Sequence, residues 1–134
     1  MTIYLFGNPD HPQDNLALLS ASQLIKNYPQ LSKVIDFRFI KPNQDLPFLN
    51  QEHVYIMDTI KGIKKITIIE DKNLNQLKLT HSSSVHDYDL SFQLKYLKKL
   101  GKIDKFTIVG LPIKKFNLST LQKTIFKLTE KRYF

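Results

Sequence analysis

The sequence predicts a three-layer α/β/α sandwich. A mainly parallel sheet of about five strands carries helices on both faces and an antiparallel hairpin at one edge. Three observations carry this reading. Three short runs (TIYLF, HVYIM and KFTIV) are apolar nearly throughout, as strands covered on both faces are. Segments with leucines and isoleucines at helical spacing separate most of the strands. Gly, Pro and Asn stand at the junctions. With 134 residues the chain is one domain, 1–134, long enough for a single core.

The elements follow in order. Thr2–Phe6 is a buried strand stopped at Gly7. Asn8 to Pro12 form a non-helical loop, and Gln13 or Asp14 opens a helix whose apolar face is Leu16, Leu18, Leu19, Ala21, Leu24 and Ile25. Tyr28-Pro29 ends it. Lys33–Phe39 is a second strand, followed by a short helix or loop, and His53–Met57 is a third strand closed by Asp58. Lys65–Ile69 and Gln76–Thr80 flank a turn, Asp71 to Asn75, as a hairpin. A helix with Leu90, Leu94, Leu97 and Leu100 ends at Gly101, as a C-terminal glycine predicts. Lys105–Val109 is a buried strand running into Gly110-Leu111-Pro112, and Asn117 or Ser119 starts a last helix striped by Leu118, Leu121, Ile125 and Leu128.

Composition removes several kinds of chemistry. There is no Cys, so disulfides, thiolate metal sites and a Cys nucleophile are excluded. No apolar run approaches the roughly 20 residues that span a bilayer. The N-terminus reads as a strand and not as a signal peptide, and a cytoplasmic setting is expected. The four glycines form neither a Walker loop nor GxGxxG, and no GxSxG elbow exists. The net charge of +8 is uneven: residues 95–134 hold 11 Lys/Arg against two acids, whereas the remainder holds 9 against 10. That flank is read as a solvated face on amphipathic helices, where Lys98→Ala should matter little. Basic and aromatic residues do not interleave as in RNA-binding strands, and neither a nucleic-acid nor a membrane partner is expected.

Three side chains stand out by position: Asp14, Asp58 and His86. Each falls just past a buried strand or in the loop that opens the next helix, and in parallel α/β sheets those carboxyl-end loops bind ligands. Two carboxylates and an imidazole can hold a borderline divalent metal with positions left open. The bland readings are a helix-capping carboxylate for Asp14, a turn residue for Asp58 and a surface histidine for His86. Asp10, His11, Asp87 and Asp89 are candidate second-layer partners; His81 is a weaker ligand, and His53 sits at the opposite edge.

The chain resembles the maturation endopeptidases of nickel-iron hydrogenases. The resembling stretches are Leu5-Phe6-Gly7-Asn8 leading to Asp14, Val54-Tyr55-Ile56-Met57-Asp58, and Ser84-Val85-His86 followed by Phe106-Thr107-Ile108-Val109-Gly110-Leu111-Pro112. Together they span roughly residues 2–130. The chain departs from the family pattern where Gln13-Asp14-Asn15 replaces two acids and a Gly. It departs again where Phe37-Arg38-Phe39 follows Asp36 in place of glycines, which makes it a divergent member. The resemblance implies an α/β/α endopeptidase that removes a C-terminal extension from the hydrogenase large-subunit precursor after nickel insertion. It implies that Asp14, Asp58 and His86 are both the catalytic and the metal-contacting residues. No cofactor is expected to be tightly bound, since the nickel comes with the substrate precursor. The alternatives are a non-catalytic α/β binding module and, through Gly7-Asn8-Pro9, a peptidyl-tRNA hydrolase-like enzyme.

Overall fold

The computed structural model describes residues 1–6, 15–40, 52–60, 62–73, 94 and 96–133. Among the described residues the strands are β1 (Thr2–Phe6), β2 (Asp36–Ile40), β3 (His53–Ile60), β4 (Thr67–Glu70) and β5 (Lys105–Pro112). They form one sheet in the order β2-β1-β3-β5-β4, in which only β4 runs antiparallel, against β5 at the edge. The helices are α1 (Leu16–Asn27), α2 (helical at 94 and 96–99) and α3 (Leu118–Tyr133).

Alternation along the strands sorts the core into two layers. Ile3, Leu5, Tyr55, Met57, Val109 and Leu111 face one side, where Ala17, Ala21 and Leu24 of α1 meet Leu121, Ile125 and Leu128 of α3. Tyr4, Phe6, Val54, Ile56, Ile60, Phe106 and Ile108 face the other, under Leu94 and Leu97 of α2. The expected three-layer sandwich with a mostly parallel sheet is therefore present. Among the described residues no helix is long and apolar enough to cross a membrane.

Several boundaries differ from the sequence reading. The second strand begins at Asp36, because Pro29–Lys33 forms a 3-10 turn that buries Leu31. Pro29 opens the turn with its fixed φ, and the Leu31 carbonyl accepts from the N–H groups of both Val34 and Ile35. β3 and β5 run on to Ile60 and Pro112, since each offers the other a partner through the pairs Asp58–Gly110, Thr59–Leu111 and Ile60–Pro112. In α1 the buried stripe is Ala17-Ala21-Leu24, and Leu19, 51 % exposed, turns to solvent. The first hairpin strand is β4, followed by a 3-10 turn at Asp71–Asn73; Gln76–Thr80 and Leu90 lie outside the described residues.

The helix ends obey local chemistry. Gly101 has φ 74°, the Lys102 N–H bonds the Leu97 carbonyl at 2.9 Å, and the Gly101 N–H bonds the Lys98 carbonyl at 3.0 Å. This double closure needs a left-handed residue and explains the glycine. At the start of α3, Asn117 Oδ1 accepts from the Ser119 N–H at 2.8 Å. Asn117→Ala is expected to cost about 1 kcal/mol in urea melts and Asn117→Asp much less.

Lys98, read from the sequence as part of a solvated face, is exposed but has specific partners. Its Nζ donates to Asp71 Oδ2 at 2.7 Å and to the Asp104 carbonyl at 2.8 Å, tying the turn after β4 to the chain entering β5. Burial pushes the Asp71 carboxyl up, but the Lys98 hydrogen bond and charge, with backbone N–H groups, outweigh it and hold the pKa below its ordinary value. A carboxyl with a lowered folded pKa adds stability above its unfolded pKa, near 3.9, and loses it as the pH falls through the folded value. Lys98→Ala should therefore destabilise by about 0.5–1 kcal/mol at pH 7. The difference from wild type should shrink as thermal melts are taken below about pH 4.

Candidate active site

Strand order locates the site before any side chain is considered. From β1 the chain goes through α1 to β2 on one side, then crosses back to β3 on the other. The carboxyl ends of β1 and β3 therefore diverge, and open α/β sheets bind ligands in the crevice at such a switch point. Pairing of Leu5 with Met57 brings the end of β1 level with Asp58.

Asp58 is 2 % exposed. It lies inside β3 rather than just past it, with two further residues continuing the strand beside β5. By alternation its side chain belongs to the face of Ile56 and Ile60, the α2 side. The Thr59 N–H donates to Asp58 Oδ1 at 2.9 Å. Aspartate is disfavoured within strands, and a buried carboxylate is costly without compensating bonds. A turn-forming role does not explain an Asp in that setting. A position held against local preference is where function is expected.

Among the described residues, two buried polar atoms near this edge have no hydrogen-bond partner: Thr59 Oγ1, beside Asp58, and Asn15 Oδ1, at the start of α1. Such atoms are rare in folded proteins. Asn15 occupies the N-cap position of α1, yet its side chain makes no capping bond. From the sequence Asn15 stood out only as a departure from the family pattern, and Thr59 did not stand out. Asn at a helix start reads as an ordinary cap, and Thr in a strand as an ordinary strand former.

Of the three predicted site residues, the structure describes Asp58; Asp14 and His86 lie outside the described residues, as do Asp10, His11, His81, Asp87 and Asp89. Among the described residues no group of three potential metal ligands occurs. His53 is at the amino edge, as expected. Its Nε2 lies 2.7 Å from Thr107 Oγ1, and its ring stacks on Tyr55 at 4.2 Å. Asp36 opens β2 at that same amino edge and pairs with Arg38 at 2.7 Å on the surface, away from the switch point.

The family model for HycI, a hydrogenase maturation protease, matches residues 23–131, a span that includes Asp58 and His86 and begins after Asp14. Solved structures share the fold. HybD, a hydrogenase maturating endopeptidase from E. coli, aligns with TM-score 0.67 and 16 % identity over 98 % of this chain and 94 % of that one. An endopeptidase from Escherichia coli aligns with TM-score 0.59 and 21 % identity over 84 % and 74 %. The [NiFe] hydrogenase maturation protease HybD from Thermococcus kodakarensis aligns with TM-score 0.54 and 13 % identity over 96 % and 99 %. No curated protein sequence matches the chain. At these identities the structural likeness speaks for the fold, and the family match carries the assignment. The chain belongs to the hydrogenase maturation protease family, whose members are peptidases.

Proposed function

We propose that this protein is the endopeptidase that removes a C-terminal extension from a nickel-iron hydrogenase large-subunit precursor after nickel has been inserted. Asp14, Asp58 and His86 together meet the nickel that the precursor carries. The observation that carries the reading is Asp58: a carboxylate buried to 2 % exposure inside β3, level with the end of β1 at the switch point. The metal belongs to the substrate, so the enzyme needs no resident ion. Asp58 is held in place by the Thr59 N–H and by the strand on which it sits, which suits it to receive a ligand without rearrangement. Asp14 follows β1 and precedes α1 in the sequence. His86 precedes α2, the helix that covers the Asp58 face. Imidazole and carboxylate are suitable donors for nickel.

The experiment is a panel of Asp14→Asn, Asp58→Asn and His86→Gln, each incubated with nickel-loaded precursor and read by intact mass. Loss of the tail-cleaved product in all three, with cooperative melting retained, is the expected result. Ordinary cleavage by all three rejects the site.

A further inference from the structure

The carboxyl edge of the sheet carries two short loops of nearly the same sequence. Ile63-Lys64-Lys65-Ile66 follows β3, and Ile113-Lys114-Lys115-Phe116 follows β5. The two strands are paired along their whole length, ending with Ile60 opposite Pro112, so both loops leave the sheet side by side on the edge that Asp58 approaches. Apolar residues anchor each one. Ile63 packs on the core layer under α2, whereas Ile66 and Phe116 pack on the layer under α1 and α3. The lysine pairs between these anchors are all exposed. Their ammonium groups make no hydrogen bond or ion pair with a described residue.

The described acids other than Asp58 and Glu130 gather at the amino edge of the sheet, among basic residues such as Arg38, Lys72 and Lys98. Asp36 and Glu52 stand at or before the starts of β2 and β3, Asp104 precedes β5, and Glu70 and Asp71 end the antiparallel β4. All five lie at the amino edge, where Asp36, Glu70 and Asp71 are paired with Arg38, Lys72 and Lys98, whereas the lysine loops leave the opposite edge with no described acid paired to them.

We propose that the paired loops, Lys64-Lys65 and Lys114-Lys115, form a docking rim for an acidic segment of the protein substrate, next to the bond that is cut. This inference rests on the reading of the chain as a precursor-processing endopeptidase. A polypeptide is the occupant because the rim borders the candidate active site of a peptidase. Neighbouring strands are only about 4.8 Å apart, so one extended chain can meet both loops. Lysine ammoniums on flexible stems attract carboxylates without demanding a fixed geometry, which suits capture of a substrate more than chemistry upon it.

The test replaces all four lysines by Gln and, separately, by Arg, and measures processing of nickel-loaded precursor across a salt series. The Gln variant should raise KM about tenfold at low salt with kcat changed less than about twofold, and its KM should respond weakly to salt. The Arg variant should retain wild-type KM. An unchanged KM and salt response in the Gln variant, or a fall in kcat alone, overturns the rim. So does salt-sensitive binding of single-stranded RNA that disappears with the lysines while the precursor KM stays. Failure of the protease reading shows separately, as wild-type protein that leaves loaded precursor intact. Direct binding of that precursor then decides the rim, which stands if the Gln variant binds about tenfold more weakly and falls if it does not.

Discussion

Asp58→Asn is expected to lower kcat/KM for the nickel-loaded precursor by about 100-fold or more while leaving a cooperatively folded protein. The substitution keeps the shape of the side chain and an oxygen able to accept the Thr59 N–H. It removes only the negative charge and the second carboxylate oxygen. A site that binds substrate through a metal depends on both, since an uncharged amide is a poor ligand for a divalent cation. The fold does not depend on them in the same way. Replacing a buried charge by a neutral group of the same volume seldom costs much stability, because the desolvation penalty goes with the charge. Activity by mass-resolved cleavage and stability by thermal melt should therefore separate. A variant that cleaves normally, or one that fails only because it no longer folds, contradicts the role given to Asp58.

The second large effect is predicted at Gly110, the residue paired with Asp58 across β3 and β5. A Cβ added there would run into Ile60 Cδ1 and would stand 3.2 Å from Ile60 Cγ1 and 3.2 Å from the Thr67 carbonyl oxygen. The Thr67 oxygen is backbone of the edge strand β4 and cannot move without shifting its pairing to β5. Gly110→Ala should cost about 1–3 kcal/mol, roughly 4 °C of Tm for each kcal/mol in a domain of this size. Ile60→Val deletes the atom that would be struck first. The double variant Gly110→Ala/Ile60→Val should therefore be more stable than the sum of the two single effects predicts. Because Ile60 and Asp58 share one strand face, Gly110→Ala should also slow precursor processing. Strict additivity in the melts would remove this account of the glycine.

How much the sequence disclosed depended on the kind of signal. Largely apolar runs such as TIYLF and KFTIV became central strands, and Gly101 and Asn117 marked helix ends with the chemistry expected of them. The antiparallel edge was foreseen as well. The limits of strands were harder to read, because pairing sets them. Asp58 looks like a strand terminator in isolation, yet β5 supplies partners that carry β3 past it. The 3-10 turn that delays β2 depends on burial of Leu31, a tertiary contact that local propensity does not report. The ion pair of Lys98 was hidden for the same reason: its partner Asp71 lies 27 residues away in the sequence. The place of Asp58 near the switch point was legible because strand order and ligand position are linked in this fold class. The burial of Thr59 Oγ1 and Asn15 Oδ1 with no partner among the described residues was not, since residue type alone gives no hint of it.

Offering one precursor in two forms, with and without nickel, tests the central claim most directly. Wild-type enzyme should shorten only the nickel-loaded form, and Asp58→Asn should shorten neither, with each product read by its mass. Equal cleavage of both forms by the wild type, or retained cleavage of the loaded form by Asp58→Asn, would contradict the assignment of Asp58 as a group that receives the substrate's metal.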